Sequence, residues 1–192
     1  MEGFDGLAKL EELECGSNRI RNVSGITNEM GKSLKQLWLG RNKIASMLLP
    51  YMPALEILSF QCNRLENWDD DLSIKCPNLK ELYVSENHLP NPPCSIIGLK
   101  QLHTLDLGNN KIQKLDFIGQ MIWLKELWLN GNDIQELEEV RKLSTLVNLD
   151  TIYLEHNPIK DQLGPGYRQA VLDILPNLKQ IDAIYLGQIV VT

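Results

Sequence analysis

The chain has 192 residues, 43% of them hydrophobic and 23% charged, and its 25 acidic and 19 basic side chains give a net charge of −6. This composition is that of an ordinary globular protein and excludes collagen-like, disordered and disulfide-dense classes. The sequence has no apolar run of about 18 residues that could span a bilayer, and the negative charge repels a phosphate backbone. We therefore expect neither a membrane nor a direct nucleic-acid partner.

The N-terminal segment from Met1 to Asp5 has neither a basic region nor an apolar stretch, so it does not resemble a secretory signal. Four cysteines lack the C-x-x-C spacing of paired ligands or redox sites: Cys15, Cys62, Cys76 and Cys94. Without export they are expected to be free thiols in a reducing compartment. These features predict an intracellular chain with no metal and no cofactor.

An internal repeat organises most of the chain. The segment from Leu34 to Ile44 reads L-x-x-L-x-L-x-x-N-x-I, which is the leucine-rich repeat signature. Seven copies keep this frame, and their ninth-position asparagines lie 21 to 25 residues apart: Asn18, Asn42, Asn63, Asn87, Asn110, Asn132 and Asn157. The sequence therefore predicts seven coils within residues 1–161, the first of them incomplete at its start.

Each coil is predicted to contribute one short strand. Because strand side chains alternate between two faces, the fourth and sixth repeat positions enter the core and the third, fifth and seventh face outward. The asparagine amide can supply both donors and an acceptor to backbone groups where the chain turns sharply after the strand. Apolar residues return further along, as at Ile112, Leu115 and Ile118. This pattern predicts an α/β solenoid with parallel strands on the concave face and short helices or turns on the convex face.

The two ends of the array differ in sequence. Residues 162–192 are predicted to form a C-terminal cap, with a turn at Gly164-Pro165-Gly166, a helix beginning near Tyr167 and a final strand around Leu178 to Asp182. At the other end, Phe4 to Leu10 looks like the second half of a coil, and no cap precedes the first repeat. We expect either a fragment of a longer array or a first coil that a partner covers.

The fifth repeat position is predicted to form one outward column on the concave face: Glu14, Trp38, Ser59, Tyr83, Asp106, Trp128 and Tyr153. Tryptophan and tyrosine are enriched among interface hot spots, which favours a protein-binding surface. The alternative is that the aromatics only stack on neighbouring strands. Glu14 and Asp106, with Glu126 at a third position, favour a basic patch on the partner, although solubility alone could also account for them.

The chain also resembles a known family. The segments Glu126-Leu127-Trp128-Leu129-Asn130-Gly131-Asn132 and Tyr153-Leu154-Glu155-His156-Asn157-Pro158, with the closing Tyr167-Arg168 and Gln180-Ile181-Asp182-Ala183, are similar to the leucine-rich-repeat regulatory subunit of protein phosphatase 1. The resemblance covers nearly the whole chain and is sharpest from Leu102 onward. It implies a non-catalytic adaptor, in nucleus and cytoplasm, that binds the phosphatase catalytic subunit through its concave face.

On these grounds the predicted protein-binding residues are Glu14, Trp38, Tyr83, Asp106, Glu126, Trp128 and Tyr153. We expect a monomer with no catalytic residues, because the histidines lie in different coils with no nucleophile and orienting carboxylate beside them. The alternatives are a spliceosomal, ciliary or cytoskeletal scaffold, a segment of a larger protein, or a repeat domain attached to an enzyme. Lys114-Leu115-Asp116-Phe117 loosely resembles a phosphatase-docking peptide, but Leu115 falls on a buried repeat position.

Overall fold

The structure is a computed structural model that describes residues 7–186. Its central feature is one nine-stranded sheet in which the strands follow each other in chain order. The strands are β1 (Glu12–Glu14), β2 (Gln36–Trp38), β3 (Ile57–Ser59), β4 (Glu81–Tyr83), β5 (Thr104–Asp106), β6 (Glu126–Trp128), β7 (Thr151–Tyr153), β8 (Gln180–Ile181) and β9 (Ile184–Tyr185). Strands β1 to β8 are parallel, and β9 returns antiparallel to β8.

The register confirms the predicted solenoid. The fourth repeat positions pair directly across the sheet, from Leu13 with Leu37 through to Leu127 with Ile152. From β2 onward these residues are fully buried, as are the sixth-position residues from Leu39 to Leu154. One apolar core therefore runs the length of the stack, because no coil could bury its leucines alone.

The convex side consists of short helices and turns, as predicted. The α-helices are α1 (Asn28–Gly31), α2 (Leu72–Lys75), α3 (Leu137–Arg141), α4 (Pro158–Leu163) and α5 (Tyr167–Ile174), and 3₁₀ turns occupy Cys94–Gly98, Lys142–Thr145 and Gly164–Gly166. Each helix is short because a coil of about 23 residues has room for only one or two turns beside its strand. No helix among residues 7–186 is both long and apolar enough to cross a membrane.

The repeated asparagines hold adjacent coils together. Asn87 donates from Nδ2 to the carbonyls of Phe60, Val84 and Ser85, and its Oδ1 accepts the backbone N–H of Leu65 in the preceding coil at 2.9 Å. The same pattern recurs at Asn42, Asn63, Asn110, Asn132 and Asn157. The predicted use of both donors and acceptor at this position is therefore what the structure shows.

A backbone feature at the eighth position was not predicted. The residue immediately before each asparagine has a positive φ, and six of the seven are not glycine: Ser17, Arg41, Cys62, Glu86, Asn109 and His156. The exception is Gly131, where an added Cβ would lie 2.1 Å from Oδ1 of Asn109. The left-handed conformation of this residue ends the strand with a sharp turn, which directs the following asparagine side chain toward the protein interior.

The C-terminal end is closed by the predicted capping helix. Helix α5 buries Tyr167 and Val171, and Leu175 and Leu178 continue the core behind it. The final strand was predicted around residues 178–182 and lies at β8, whereas the hairpin return through β9 was not predicted. The proposed division into 1–161 and 162–192 stays a prediction, and its outermost residues at both ends, including Phe4, lie outside the described residues.

Candidate protein-binding face

The candidate site is the concave face, defined here as the outward side chains at repeat positions three, five, seven and eight. Register places the fifth-position residues side by side in the order Glu14, Trp38, Ser59, Tyr83, Asp106, Trp128 and Tyr153. The predicted column is therefore present. Its four aromatic residues are each half-buried, so part of every ring remains accessible.

Two members of the column do not face solvent, contrary to the prediction. Ser59 and Asp106 are each only 2% exposed. Each is a short side chain between larger neighbours: Ser59 lies between Trp38 and Tyr83, and Asp106 lies between Tyr83 and Trp128. The expectation that Asp106 offers a free flanking charge is wrong, because this side chain is buried.

The carboxylate of Asp106 is instead the centre of a polar network. Its Oδ2 accepts hydrogen bonds from Ser85 Oγ at 2.6 Å and Gln61 Nε2 at 2.9 Å, and its Oδ1 accepts the backbone N–H of Gly108 at 3.0 Å. Burial raises the pKa of Asp106 above its ordinary value, although these hydrogen bonds oppose the shift. The network joins three coils, so the carboxylate of Asp106 bonds within the protein and is buried from a partner.

The aromatic residues form two separate pairs. Trp38 and Tyr83 stack across the small Ser59 with centroids 6.1 Å apart and planes at 24°, and Trp128 and Tyr153 meet at 5.4 Å and 60°. Sideways stacking, the alternative weighed from the sequence, therefore does occur. It does not remove the rings from solvent, and packed but half-exposed aromatics are preorganised for docking, because little side-chain entropy remains to be lost.

Hydrogen bonds fix three of these rings. Trp38 Nε1 donates to Gln36 Oε1 at 3.2 Å, Tyr83 OH donates to Glu81 Oε2 at 2.7 Å, and Tyr153 OH accepts from Gln180 Nε2 at 2.6 Å. Burial and the contact with Glu81 raise the pKa of Tyr83, so its phenol stays neutral. The exception is Trp128, whose Nε1 is buried with no hydrogen-bond partner in the part of the chain described.

The charge on this face has one sign at the strand positions. Positions three, five and seven of the seven coils carry six carboxylates and neither lysine nor arginine: Glu12, Glu14, Glu81, Asp106, Glu126 and Glu155. Lysines do occur at the neighbouring second position, where Lys35 pairs with Glu11 and Lys80 with Glu56. The strand face is therefore acidic by placement and not only by overall composition.

Residues at positions seven and eight were not predicted as part of the site. Gln61 and Ser85 engage Asp106, and Arg41, Cys62 and Glu86 line a cavity beside Trp38. The signal was present in the sequence, since these residues follow each strand directly. The prediction missed these residues because it took site residues only from repeat positions three and five, which lie within the strand.

The loosely matching docking peptide is not available for binding. Leu115 and Phe117 are buried, as the repeat frame predicted for Leu115. The charged residues of the segment are engaged as well, because Lys114 pairs with Glu139 at 3.1 Å and Asp116 with Lys142 at 2.5 Å. Within residues 7–186 no cluster of His, Cys, Asp and Glu could hold a metal ion, and the four cysteines are free thiols.

Comparison with known proteins identifies the repeat. The family model described as Leucine Rich repeats (2 copies) matches residues 77–120 and 100–139. A Leptospira interrogans leucine-rich repeat protein of known structure superposes with a TM-score of 0.67 at 28% identity, covering 79% of this chain and 38% of that one. The chain therefore has the fold of a leucine-rich repeat solenoid.

Two further relatives match this chain over shorter stretches. An uncharacterized Caenorhabditis elegans protein is 35% identical over 81 residues, which are 42% of this chain and 18% of that protein. Leucine-rich repeat-containing protein 51 of Bos taurus is 38% identical over 84 residues, which are 43% of each chain. The matched regions span less than half the length of either relative.

Proposed function

We propose that this leucine-rich repeat protein is a non-catalytic adaptor that holds a folded protein partner on its concave face. The observation that carries the proposal is the column of four half-exposed aromatic rings on an acidic strand surface. Leucine-rich repeats are protein-binding scaffolds, and Trp and Tyr concentrate binding energy where they are rigid and partly desolvated. The partner surface that fits is apolar at its centre and basic around it.

We propose Trp128 and Tyr153 as the main anchors. They adjoin each other in register on β6 and β7, and Glu126 stands half-exposed two residues before Trp128. The second pair, Trp38 with Tyr83, and the exposed Glu14 extend the surface toward β1. Asp106, in register with Trp128 on the adjacent strand, holds Ser85 and Gln61 through its carboxylate and does not itself meet the partner.

The candidate partner is the catalytic subunit of protein phosphatase 1, in nucleus and cytoplasm. The support is the resemblance of Glu126-Leu127-Trp128 and Tyr153-Leu154-Glu155 to that enzyme's leucine-rich-repeat regulatory subunit. In those segments the strand residues Glu126, Trp128 and Tyr153 all reach the concave surface. The adaptor would act by covering part of the enzyme surface and would need no catalysis of its own.

The test measures binding of the purified phosphatase catalytic subunit to wild type and to Trp128→Ala and Tyr153→Ala by calorimetry. Each change is expected to weaken binding by about 2 kcal/mol, the size of a hot-spot truncation. The matched control is Trp123→Ala, because Trp123 is also half-buried but lies outside the concave face, with its indole N–H donating to Leu99 O at 3.0 Å. That control should leave the affinity unchanged.

A conservative variant separates anchoring from folding. Trp128→Phe keeps a six-membered aromatic ring and removes the five-membered ring with its N–H, which has no acceptor among residues 7–186. It should retain more of the affinity than Trp128→Ala and most of the thermal stability. Wild type that fails to bind excludes this phosphatase subunit and favours a scaffold role. Unchanged affinity in Trp128→Ala and Tyr153→Ala would exclude the aromatic column as the docking surface.

A further inference from the structure

A cavity of about 340 Å³ lies on the concave face at the carboxyl ends of β1 to β4, away from Trp128 and Tyr153. It is lined by strand residues and by the left-handed residues that follow the strands, among them Glu14, Trp38, Arg41, Gln61, Cys62 and Glu86. This volume lies at the small end of the roughly 300–1,000 Å³ typical of ligand sites, which suits one long side chain. The proposed docking surface thus contains a distinct recess.

Trp38 lines this recess and is only half-buried. Tyr83 stacks on its β4 side across Ser59. On the opposite side, β1 places Glu14 directly in register with Trp38. Glu14 is exposed, so the register neighbour of Trp38 on this side is a charged side chain and not a second aromatic ring. A flat group entering between the indole and this carboxylate would therefore meet an aromatic surface on one side and a negative charge on the other.

The charges in the recess favour a cation. Glu14 and Glu86 are both exposed, and neither forms an ion pair with any residue between 7 and 186. Gln61 is half-buried in the same lining. The opposing charge is Arg41, which lies with Glu86 near the Cys62 thiol. Two carboxylates against one guanidinium leave the recess with a net negative charge.

We propose, building on the docking role of the concave face, that this recess takes an arginine side chain of the bound protein. The guanidinium stacks on the side of Trp38 that adjoins β1 and pairs with Glu14, while Glu86, which follows β4, adds to the negative charge of the recess. A planar guanidinium suits this shape better than an ammonium, because it stacks on an indole and presents several donors in its plane. The recess is therefore a specificity pocket, separate from the Trp128 and Tyr153 anchors.

The pocket can be tested on the full chain without any macromolecular partner. The four tryptophan indole N–H groups, assigned by single Trp→Phe variants, report by ¹⁵N NMR on four separate places. The probe is the peptide acetyl-Gly-Arg-Gly-amide, and the controls contain citrulline, the neutral isostere, or lysine. We expect the arginine peptide to shift the Trp38 signal with a dissociation constant in the millimolar range and to leave Trp128 unmoved. Citrulline should be at least several-fold weaker because it carries no charge.

Substitutions of residues that line the recess should change the affinity for the arginine peptide in both directions. Glu14→Gln should weaken the arginine peptide about threefold, the size of one exposed ion pair, and Glu86→Gln should weaken it by a smaller factor. Arg41→Gln removes the opposing charge and should tighten binding about twofold. A gain of affinity at Arg41 would not arise from general loosening of the fold.

Several outcomes would overturn the pocket. Equal shifts from the arginine and citrulline peptides would show that charge plays no part, and equal affinity for lysine would remove the preference for a planar group. Trp128 moving as much as Trp38 would indicate non-specific association. A negative result in the peptide titration would not bear on phosphatase binding through Trp128 and Tyr153. A negative result in the phosphatase assay would likewise not bear on the peptide titration.

Discussion

The first coil and the interior coils have the same repeat sequence but different environments. In the first coil Leu10, Leu13, Cys15 and Ile20 are only partly buried. In the fifth coil Leu102, Leu105, Leu107 and Ile112 are fully buried at the same repeat positions. A coil acquires its core from the coils on both sides, so the energetic worth of a repeat residue depends on its place in the stack.

The asparagines show the same contrast. Asn87 is 5% exposed and bridges two coils. Asn18 is exposed, and among residues 7–186 its Nδ2 donates only within its own coil, to the carbonyls of Cys15 at 3.1 Å and Gly16 at 2.9 Å. The consensus residue is thus present in both coils, but only the interior one joins neighbours.

The largest difference between the two regions should appear when a fourth-position leucine is truncated. Leu105→Ala leaves a cavity in a fully buried site and should lower the free energy of unfolding by about 3–4 kcal/mol. Leu13→Ala at the partly buried equivalent should cost about 1 kcal/mol, since less apolar area is lost. Urea denaturation followed by circular dichroism measures both. Equal costs would mean that the first coil is as tightly packed as the interior.

The asparagine substitutions should give the next largest difference. Asn87→Ala leaves the buried N–H of Leu65 without an acceptor and removes one of the donors to three carbonyls, each of which keeps another donor. We expect a loss of about 3 kcal/mol. Asn18→Ala should change the free energy of unfolding by less than about 0.5 kcal/mol, because water can replace its exposed contacts. Thermal melts of the two variants, run beside wild type, decide the point. A large cost at Asn18 would contradict the contrast drawn here.

A smaller difference is expected for carboxylates that bridge adjacent coils. Glu139 is 3% exposed and accepts from the backbone N–H of Leu115 at 2.8 Å and from Lys142 at 2.7 Å. Glu139→Gln should cost about 2 kcal/mol, because a buried site loses its charge-assisted hydrogen bonds. Glu11→Gln removes the exposed pair with Lys35 in the first coil and should have no measurable effect on stability. Chemical denaturation at pH 7 compares the two variants.

The cost at Glu139 should also depend on pH. Burial acts to raise the pKa of this carboxyl, but hydrogen bonds from Lys142, the Leu115 N–H and Lys114 outweigh it and hold the pKa below its ordinary value. The folded state therefore favours the charged form, and its stabilising effect is present above the unfolded pKa, about 4.3. It is lost as the pH falls through the lowered folded value. The difference between wild type and Glu139→Gln should shrink from pH 7 to pH 3, and a constant difference would rule out this assignment.

Much of the fold could be predicted because the repeat fixes it locally. Leucine at the fourth and sixth positions defines a strand with a buried face, and the asparagine marks where the chain must turn. The strand centres from Leu13 to Ile152 and the capping helix beginning at Tyr167 follow from this pattern. The hairpin through β9 could not be predicted, because Ile184 and Tyr185 are exposed and show no repeat spacing.

The candidate face could be predicted in position but not in exposure. Sequence placed Asp106 and Trp128 in one column, and register confirms that placement. The sequence could not show that Asp106 would be buried between its neighbours, or that the small Ser59 would let Trp38 and Tyr83 stack. These outcomes depend on side-chain sizes in neighbouring coils, which lie more than 20 residues apart in the chain.

The sequence by itself determined the number of coils, the residues that enter the core and the side of the sheet on which each outward residue lies. It could do so because each of these properties depends on spacing within one coil. Only the tertiary structure decided which carboxylates are free, which rings pair and where a recess opens beside Trp38. Those properties arise between coils, because a side chain is covered or left accessible by what the adjacent strand places next to it.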